Sequence, residues 1–541
     1  MTHSSILKLA LVIACITSAY FYTGYYASDD MSYLGSVMTI AQGGQITPDL
    51  ASARLAVVLP ASAVYYLTNG SLFLTIFSFT FYHLGLVCAC YILGQVAHNK
   101  DTGAIAALIA ACCPLSYVFA GAALPDVALA MWVGLWAAAV VYGARITGNV
   151  AISNVRRYRV WILAGLLNGI AYSVKESGLI LAVPAALAMI CSTPKNYRHQ
   201  VFLVGICYSI GISVVLGIEL VLLYAISGQW IFRLGIVTTE QHASILKELA
   251  AASGPVYLRF AKAYHLVVPF IGKIGLIAAS ISVLLYCALR KSLPFLAYLV
   301  IWVVVYQTIG STSFSNYVPP ALVHRYYLIA LPAISVMAAW VLLSIVSFSR
   351  EGANPEKRLY TWRVVAAATV VLTWGTAQFY EVLPSAGLIY RARDVKAFSL
   401  AYREARARFP DMHIVLSPYC GFRMYPVFAA ERGPKFHLTA MDPQGNPVPN
   451  KLPDPPFLYI RAVDDSLEDN LLKLPLEKFL VPGTFKYEDV ETFSPPENRW
   501  SEIILGTSSI RNDLRVENRS THSARAFKIQ KVLPLSQTTQ E

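Results

Sequence analysis

At 541 residues, 56% of them hydrophobic and only 14% charged, with a mean hydropathy of +0.52, the chain lies outside the soluble globular range, where about a quarter of residues are charged. The formal charge of +12 gathers in alternate short loops. That is the pattern of a membrane protein's cytoplasmic side, and it excludes a nucleic-acid footprint as the reason for the charge.

Apolar runs of about 17 to 25 residues, long enough to cross a bilayer as helices, recur along the chain. The first covers Ile6 to Tyr22; no convincing small-x-small cleavage site follows it, so it reads as an uncleaved anchor. An outer segment of about 23–70 comes next. There Tyr33, Leu34, Val37, Met38 and Ala41 share helical spacing, which predicts a helix over Asp30 to Ala41, and Arg54 to Leu67 forms a second apolar segment broken at Pro60. Both suit helices lying on the outer leaflet. Further spans are Leu72 to Ala97, Gly103 to Phe119 and Val127 to Tyr142. The stretch Val160 to Ile190 is interrupted at Lys175-Glu176 and divides into two short helices around a charged turn. Val201 to Ser227, Leu266 to Leu289, Phe295 to Ile309, Tyr326 to Val346 and Val364 to Tyr380 bring the total to about eleven spans, which places the termini on opposite sides.

Lys100, Arg145, Arg156, Arg157, Arg159, Lys195, Arg198, Arg290, Lys291 and Arg350 fall in one set of loops, which makes the N-terminus cytoplasmic. The other set carries Asp29-Asp30, Asp126, Lys175-Glu176, a second structured outer loop of about 228–262, and His324-Arg325, and faces out with the C-terminal part. The expected architecture is a mainly α, polytopic membrane bundle over 1–384, a C-terminal soluble α/β domain over 385–506, and a disordered polar tail over 507–541. In the soluble domain Asp394 to Phe409 reads as an amphipathic helix, and His413 to Ser417, Pro456 to Ile460 and Glu502 to Leu505 read as strands, with Ser466 to Leu480 helical in part. Eight cysteines lie in apolar runs and only Cys420 in the soluble domain, so no disulfide is expected there. His83 and Glu219, inside spans, read as interhelical hydrogen-bonding groups.

Asp29, Asp30, Arg54, Asp126, Lys175, Glu176, His324 and Arg325 thus face one leaflet. Carboxylates and cations at one depth suit an anionic lipid head and a hydroxyl to be deprotonated. When a sugar leaves a polyprenyl phosphate through an oxocarbenium-like transition state, an acceptor base is needed on the face opposite the phosphate. The phosphate itself needs cations, not a proton donor. Each residue also has a structural reading. Asp29 or Ser28 can cap the helix beginning at Asp30, and Asp126 after Pro125 suits a helix start. Arg54 can snorkel to headgroups, and His324-Arg325 beside Tyr326-Tyr327 can form an interfacial belt.

Asp29-Asp30-x-x-Tyr33 followed by Gly43-Gly44 and Pro48 resembles the acidic first-loop motif of GT-C glycosyltransferases that use lipid-phosphate sugars. Arg54-Leu55 to Pro60, Leu124-Pro125-Asp126, Gly165 to Gly178 with Lys175, and His324-Arg325-Tyr326-Tyr327 to Leu331-Pro332 extend the likeness over about the first 385 residues. Within the fold it is closest to the protein O-mannosyltransferase and aminoarabinose transferase group. The resemblance implies an inverting transfer from a polyprenyl-phosphate sugar donor to a hydroxyl of a glycolipid, polysaccharide or protein, at the periplasmic face of a bacterial inner membrane. It implies Asp29 as general base with Asp30 beside it. Arg54, Lys175 and Arg325 would lie near the lipid phosphate, with Tyr33, Asp126 and His324 as further donor-binding positions. Some members of the group bind a divalent cation. No His/Glu cluster of convincing spacing occurs in the sequence, so a metal is not expected to be required. The rival readings are a transporter or lipid flippase and a noncatalytic envelope-assembly subunit.

Overall fold

The computed structural model describes residues 2–22, 24, 30–46, 49–148, 153–193, 198–230, 233, 256–271, 273–290, 294–311, 320, 322–348, 357–382, 387–416, 436–438, 456–462, 485–493 and 527–534. The chain divides into two compact units, one of Met1–Tyr22 with Ser36–Ser385, the other of Thr23–Gly35 with Ala386–Glu541. The main boundary falls between Ser385 and Ala386. The short acidic segment, however, groups with the C-terminal residues.

The first unit is helical: α1 (His3–Tyr20), α2 (Asp30–Ala41, its first turn and a half counted with the second unit), α3 (Leu55–Leu67), α4 (Leu72–Phe77), α5 (Thr80–Ala97), α6 (Lys100–Cys112), α7 (Pro114–Ala120), α8 (Pro125–Thr147) and α9 (Asn154–Val174). A 3-10 turn, Glu176–Leu181, leads into α10 (Ala182–Ser192) and α11 (Arg198–Ser227). Then follow α12 (Val256–Ile271), α13 (Lys273–Arg290), α14 (Phe295–Ile309), a 3-10 segment His324–Ala330, α15 (Leu331–Phe348) and α16 (Lys357–Val382). Each predicted apolar run lies on one or more of these helices.

Among the described residues, five stretches are long and apolar enough to cross a membrane: His3–Tyr20, Leu72–Ala97, Pro125–Thr147, His199–Ser227 and His324–Val346. A sixth arises if α6 and α7, bent by 59° at Cys113, form one span. The protein is therefore a multi-pass membrane protein. The sequence count of about eleven also takes in shorter apolar helices such as Phe295–Ile309, which fall below the length that crosses a bilayer upright.

Two local differences from expectation have clear causes. Pro60 does not break α3, although it cannot donate to the Ala56 carbonyl; the Tyr82 hydroxyl does so instead, at 3.3 Å. The predicted span Leu266 to Leu289 is two helices, α12 and α13. The pairing of α9 with α11 is set by close backbone approach. A Cβ on Gly165 would lie 2.0 Å from the Tyr208 carbonyl oxygen, and one on Gly211 would lie 2.3 Å from that of Ile162, so α9 and α11 pack as only glycines permit. His83 meets Ser18 at 2.8 Å, which joins α5 to α1 as the interhelical reading expects.

The second unit contains a five-stranded mixed sheet in the order β2-β1-β3-β5-β4. Its strands are β1 (His413–Leu416), β2 (Phe436–Leu438), β3 (Phe457–Ala462), β4 (Phe485–Phe493) and β5 (Phe527–Pro534). β1 pairs in parallel with β2 and β3, while β5 is antiparallel to both β3 and β4. The preceding helix α17 (Gly387–Arg408) buries Ala397, Phe398, Ala401, Tyr402 and Ala405, one face at helical spacing. The expected disordered tail from 507 is corrected at Phe527–Pro534: a phenylalanine, an isoleucine and a leucine at every second or fourth position let this segment form an inner strand of the sheet. The predicted strand Glu502 to Leu505 and the partial helix Ser466 to Leu480 lie outside the described residues.

Candidate functional site

Seven charged side chains of the first unit gather where α9 ends. Val174 closes the helix and Lys175 turns extended, with φ −159° and ψ 139°, before Glu176 opens the 3-10 turn. Adjacent residues at such a break point in different directions, and Lys175 and Glu176 take separate partners. Lys175 Nζ donates to Asp126 Oδ1 at 2.6 Å. Glu176 accepts from Arg54 Nη2 at 2.7 Å and from Arg233 Nη2 at 3.1 Å.

Each partner is placed by its own element. Pro125 at the first position of α8 sets Asp126 in the first helical turn, where it is 2% exposed. Its second oxygen, Oδ2, lies 3.1 Å from Arg325 Nε, so one carboxylate joins α9's end to the 3-10 segment before α15. Arg54 stands at the N-cap of α3 behind a turn in which Asp49 and Ser52 exchange hydrogen bonds of 2.6 and 2.7 Å. Leu55 and Ala53 then pack against Leu223 of α11, which fixes the start of α3 beside that helix. Arg233, only 1% exposed at its side chain, also donates to the Tyr172 carbonyl at 2.7 Å and lies 3.8 Å from Glu219 of α11.

Four cations, Arg54, Lys175, Arg233 and Arg325, thus face three carboxylates, Asp126, Glu176 and Glu219, leaving one net positive charge in this cluster. The ammonium of Lys175 also lies 3.5 Å over the Tyr326 ring, and Arg325 is 5.8 Å from the same ring. Burial alone would raise the Glu176 carboxyl, but Arg54, Arg233 and Lys175 override it and hold it well below the usual carboxylate range. Glu176, at 24%, and Arg325, at 16%, are the most exposed side chains of the cluster. An arrangement of this kind, cation-rich and only partly open to solvent, can hold an anion with little competition from water.

The structure therefore brings together Arg54, Asp126, Lys175 and Arg325 of the sequence-derived set. His324 is adjacent in the chain, but its ring packs on Phe119 at 5.1 Å. Asp30 and Tyr33 belong to the second unit, where they are buried in the first turns of α2; Asp29 lies outside the described residues. Sequence reasoning missed Arg233. Its one signal was a basic residue on the side poor in basic residues, and Lys247, Arg259 and Lys262 in the same loop share that signal. Glu219, read as an interhelical polar group, turns out to be part of this ion-pair network.

Among the described residues no group of three or more His, Cys, Asp or Glu side chains could hold a metal ion. The carboxylates of the cluster do not fit a resident divalent cation either, since each faces one or more basic side chains.

Gly178 fixes the turn that carries Lys175 and Glu176. Its amide donates to the Lys175 carbonyl at 2.8 Å, and a Cβ there would lie 2.5 Å from backbone atoms of Ala171 and Tyr172. Gly178→Ala is expected to displace the turn and to cost about 1–3 kcal/mol of stability, read as a lower melting temperature in detergent. An unchanged melting temperature would show that the turn tolerates the displacement.

No protein-family model matches the chain, and no curated protein matches it. Solved structures do. ArnT from Cupriavidus metallidurans bound to undecaprenyl phosphate is similar with a TM-score of 0.54 at 13% identity, over 97% of each chain. The same protein in the apo state gives 0.51 at 13% identity, over 97% of this chain and 98% of that one. The oligosaccharyltransferase AglB from Archaeoglobus fulgidus, in complex with an inhibitory peptide and a dolichol-phosphate, gives 0.52 at 15% identity, over 80% of this chain. The chain spans 64% of the length of that oligosaccharyltransferase. The fold is the GT-C fold that these structures share.

Proposed function

We propose that this protein is an inverting glycosyltransferase that moves a monosaccharide from a polyprenyl-phosphate donor to an acceptor hydroxyl at the periplasmic face of a bacterial inner membrane. The observation that carries the reading is the partly open cluster of four cations and three carboxylates at the end of α9, in a GT-C fold. Two proteins of that fold have been captured with polyprenyl or dolichol phosphates.

In the proposed reaction the acceptor oxygen attacks the anomeric carbon from the face opposite the phosphate. The bond from that carbon to the phosphate oxygen breaks, and its electron pair leaves on the phosphate. Arg325 and Lys175, held by Asp126, meet that charge, and Arg54 adds to the field from the other side of the turn. The acceptor proton passes to Asp29. In the proposed reaction these steps require no metal ion.

The test is transfer in isolated membranes from a radiolabelled polyprenyl-phosphate sugar, with and without EDTA. Label is expected to move from the lipid to a less apolar acceptor, at equal rates in both samples. Label that stays on the lipid, together with solute uptake into proteoliposomes, would overturn the reading in favour of a transporter. Loss of transfer with EDTA, restored by a divalent ion, would overturn the metal-free part alone.

A further inference from the structure

Three buried side chains of the first unit form a directed hydrogen-bond chain that ends on the turn carrying Lys175 and Glu176. Trp136 Nε1 of α8 donates to the Tyr208 hydroxyl at 3.1 Å. That hydroxyl donates to Asn168 Oδ1 at 2.8 Å, and Asn168 Nδ2 donates to the Gly178 carbonyl at 3.4 Å. Trp136 and Asn168 are 0% exposed and Tyr208 is 5% exposed.

The order of donors leaves no freedom in the chain. An indole N–H can only donate, so the Tyr208 hydroxyl must accept from it and give its own hydrogen to Asn168. The asparagine must then turn its oxygen to Tyr208 and its N–H to Gly178. A primary amide buried inside a helix bundle is costly unless its groups are used, and here they are used on the turn. Gly178 is thereby held at both ends. Its N–H is bonded to the Lys175 carbonyl and its C=O to Asn168, while a Cβ on it would meet the backbone of Ala171 and Tyr172.

We infer that Asn168, oriented by Tyr208, is a positioning residue that sets where the Lys175–Glu176 turn presents its charges to the lipid phosphate. The inference rests on the reaction proposed above. Asn168 lies more than a helical turn below the charged cluster and acts through the turn. Lys175 Nζ must satisfy Asp126 at 2.6 Å and the Tyr326 ring at 3.5 Å together, so a small rotation of the turn misplaces it. Misplacement of about 1 Å in a catalytic constellation costs on the order of 10²-fold in rate.

Two variants and two readouts test this. Asn168→Leu keeps the volume and removes the amide, while Tyr208→Phe keeps the ring and removes only the hydroxyl that orients it. Donor titrations of transfer are expected to show kcat lowered about tenfold or more in the first and less in the second, with KM for the donor changed by under about threefold. Labelling of Lys175 by an amine-reactive reagent, followed by mass spectrometry, is expected to rise in both variants as the ammonium leaves Asp126. Wild-type kcat together with unchanged Lys175 labelling would overturn the inference. If Asn168→Leu fails to fold, Tyr208→Phe decides on the same two readouts. If the wild-type protein transfers no sugar, the proposed reaction fails, and the labelling alone then decides whether Asn168 holds the turn.

Discussion

Asp29→Asn is expected to lower the rate of sugar transfer about 10²- to 10⁴-fold, the usual contribution of a positioned general base, while donor binding stays within about twofold of wild type. Asparagine has nearly the size of aspartate and cannot take the acceptor proton, so the loss isolates the proton transfer. Donor binding is spared because other residues, Arg325, Lys175 and Arg54, are the cations assigned to the phosphate. Asp30 gives the contrast. It is fully buried in the first turn of α2, where a carboxylate favours the helix N-terminus by about 0.3–1 kcal/mol, and Asp30→Asn is expected to change transfer far less than Asp29→Asn. The measurement is initial transfer rate against donor concentration for both variants. Full activity in Asp29→Asn sinks the assigned base, and loss confined to Asp30→Asn moves the role to its neighbour.

Much of this was legible in the residues because apolar periodicity carries it. The helix predicted over Asp30 to Ala41 is observed with those bounds, and its buried face, Tyr33, Leu34, Val37 and Met38, has the predicted spacing. The break at Lys175-Glu176 was legible for the same reason, since two charges cannot continue an apolar run.

What pairs with what was not legible. Arg54 and Glu176 meet across 122 residues and Lys175 and Asp126 across 49, and nothing local to either partner encodes the other. Arg233 was hidden because its partners, Glu219 and Glu176, sit on one helix and one turn that the sequence treats separately. Strands β4 and β5 escaped for opposite reasons. β4 lies at the sheet edge and carries Lys486, Glu488, Asp489 and Glu491, the charged pattern that protects an edge and hides a strand. β5 is an inner strand, but it follows a long Ser, Thr and Arg rich stretch whose composition masks it.

Asp126→Ala is expected to be the most destabilising single change in the cluster, at about 3–5 kcal/mol, because it removes one partner of a buried ion pair and leaves the other charged. Asp126 serves two cations at once, Lys175 at 2.6 Å and Arg325 at 3.1 Å, and is itself 2% exposed. Against a total stability of about 5–15 kcal/mol, such a loss appears as a markedly lower melting temperature in detergent and reduced yield. The double variant Asp126→Asn with Lys175→Met separates stability from chemistry. Methionine fills the lysine's volume without its charge, and the asparagine oxygen keeps a polar group 3.1 Å from Arg325 Nε, so much of the melting temperature should return. Transfer activity should not return, because the ammonium that meets the leaving phosphate is gone. A double variant that recovers both stability and activity would reduce Lys175 to a structural counter-ion and leave Arg325 and Arg54 to hold the phosphate. One that recovers neither would mean that the charged bridge itself, and not just the absence of an unpaired charge, holds α8, α9 and the start of α15 in register.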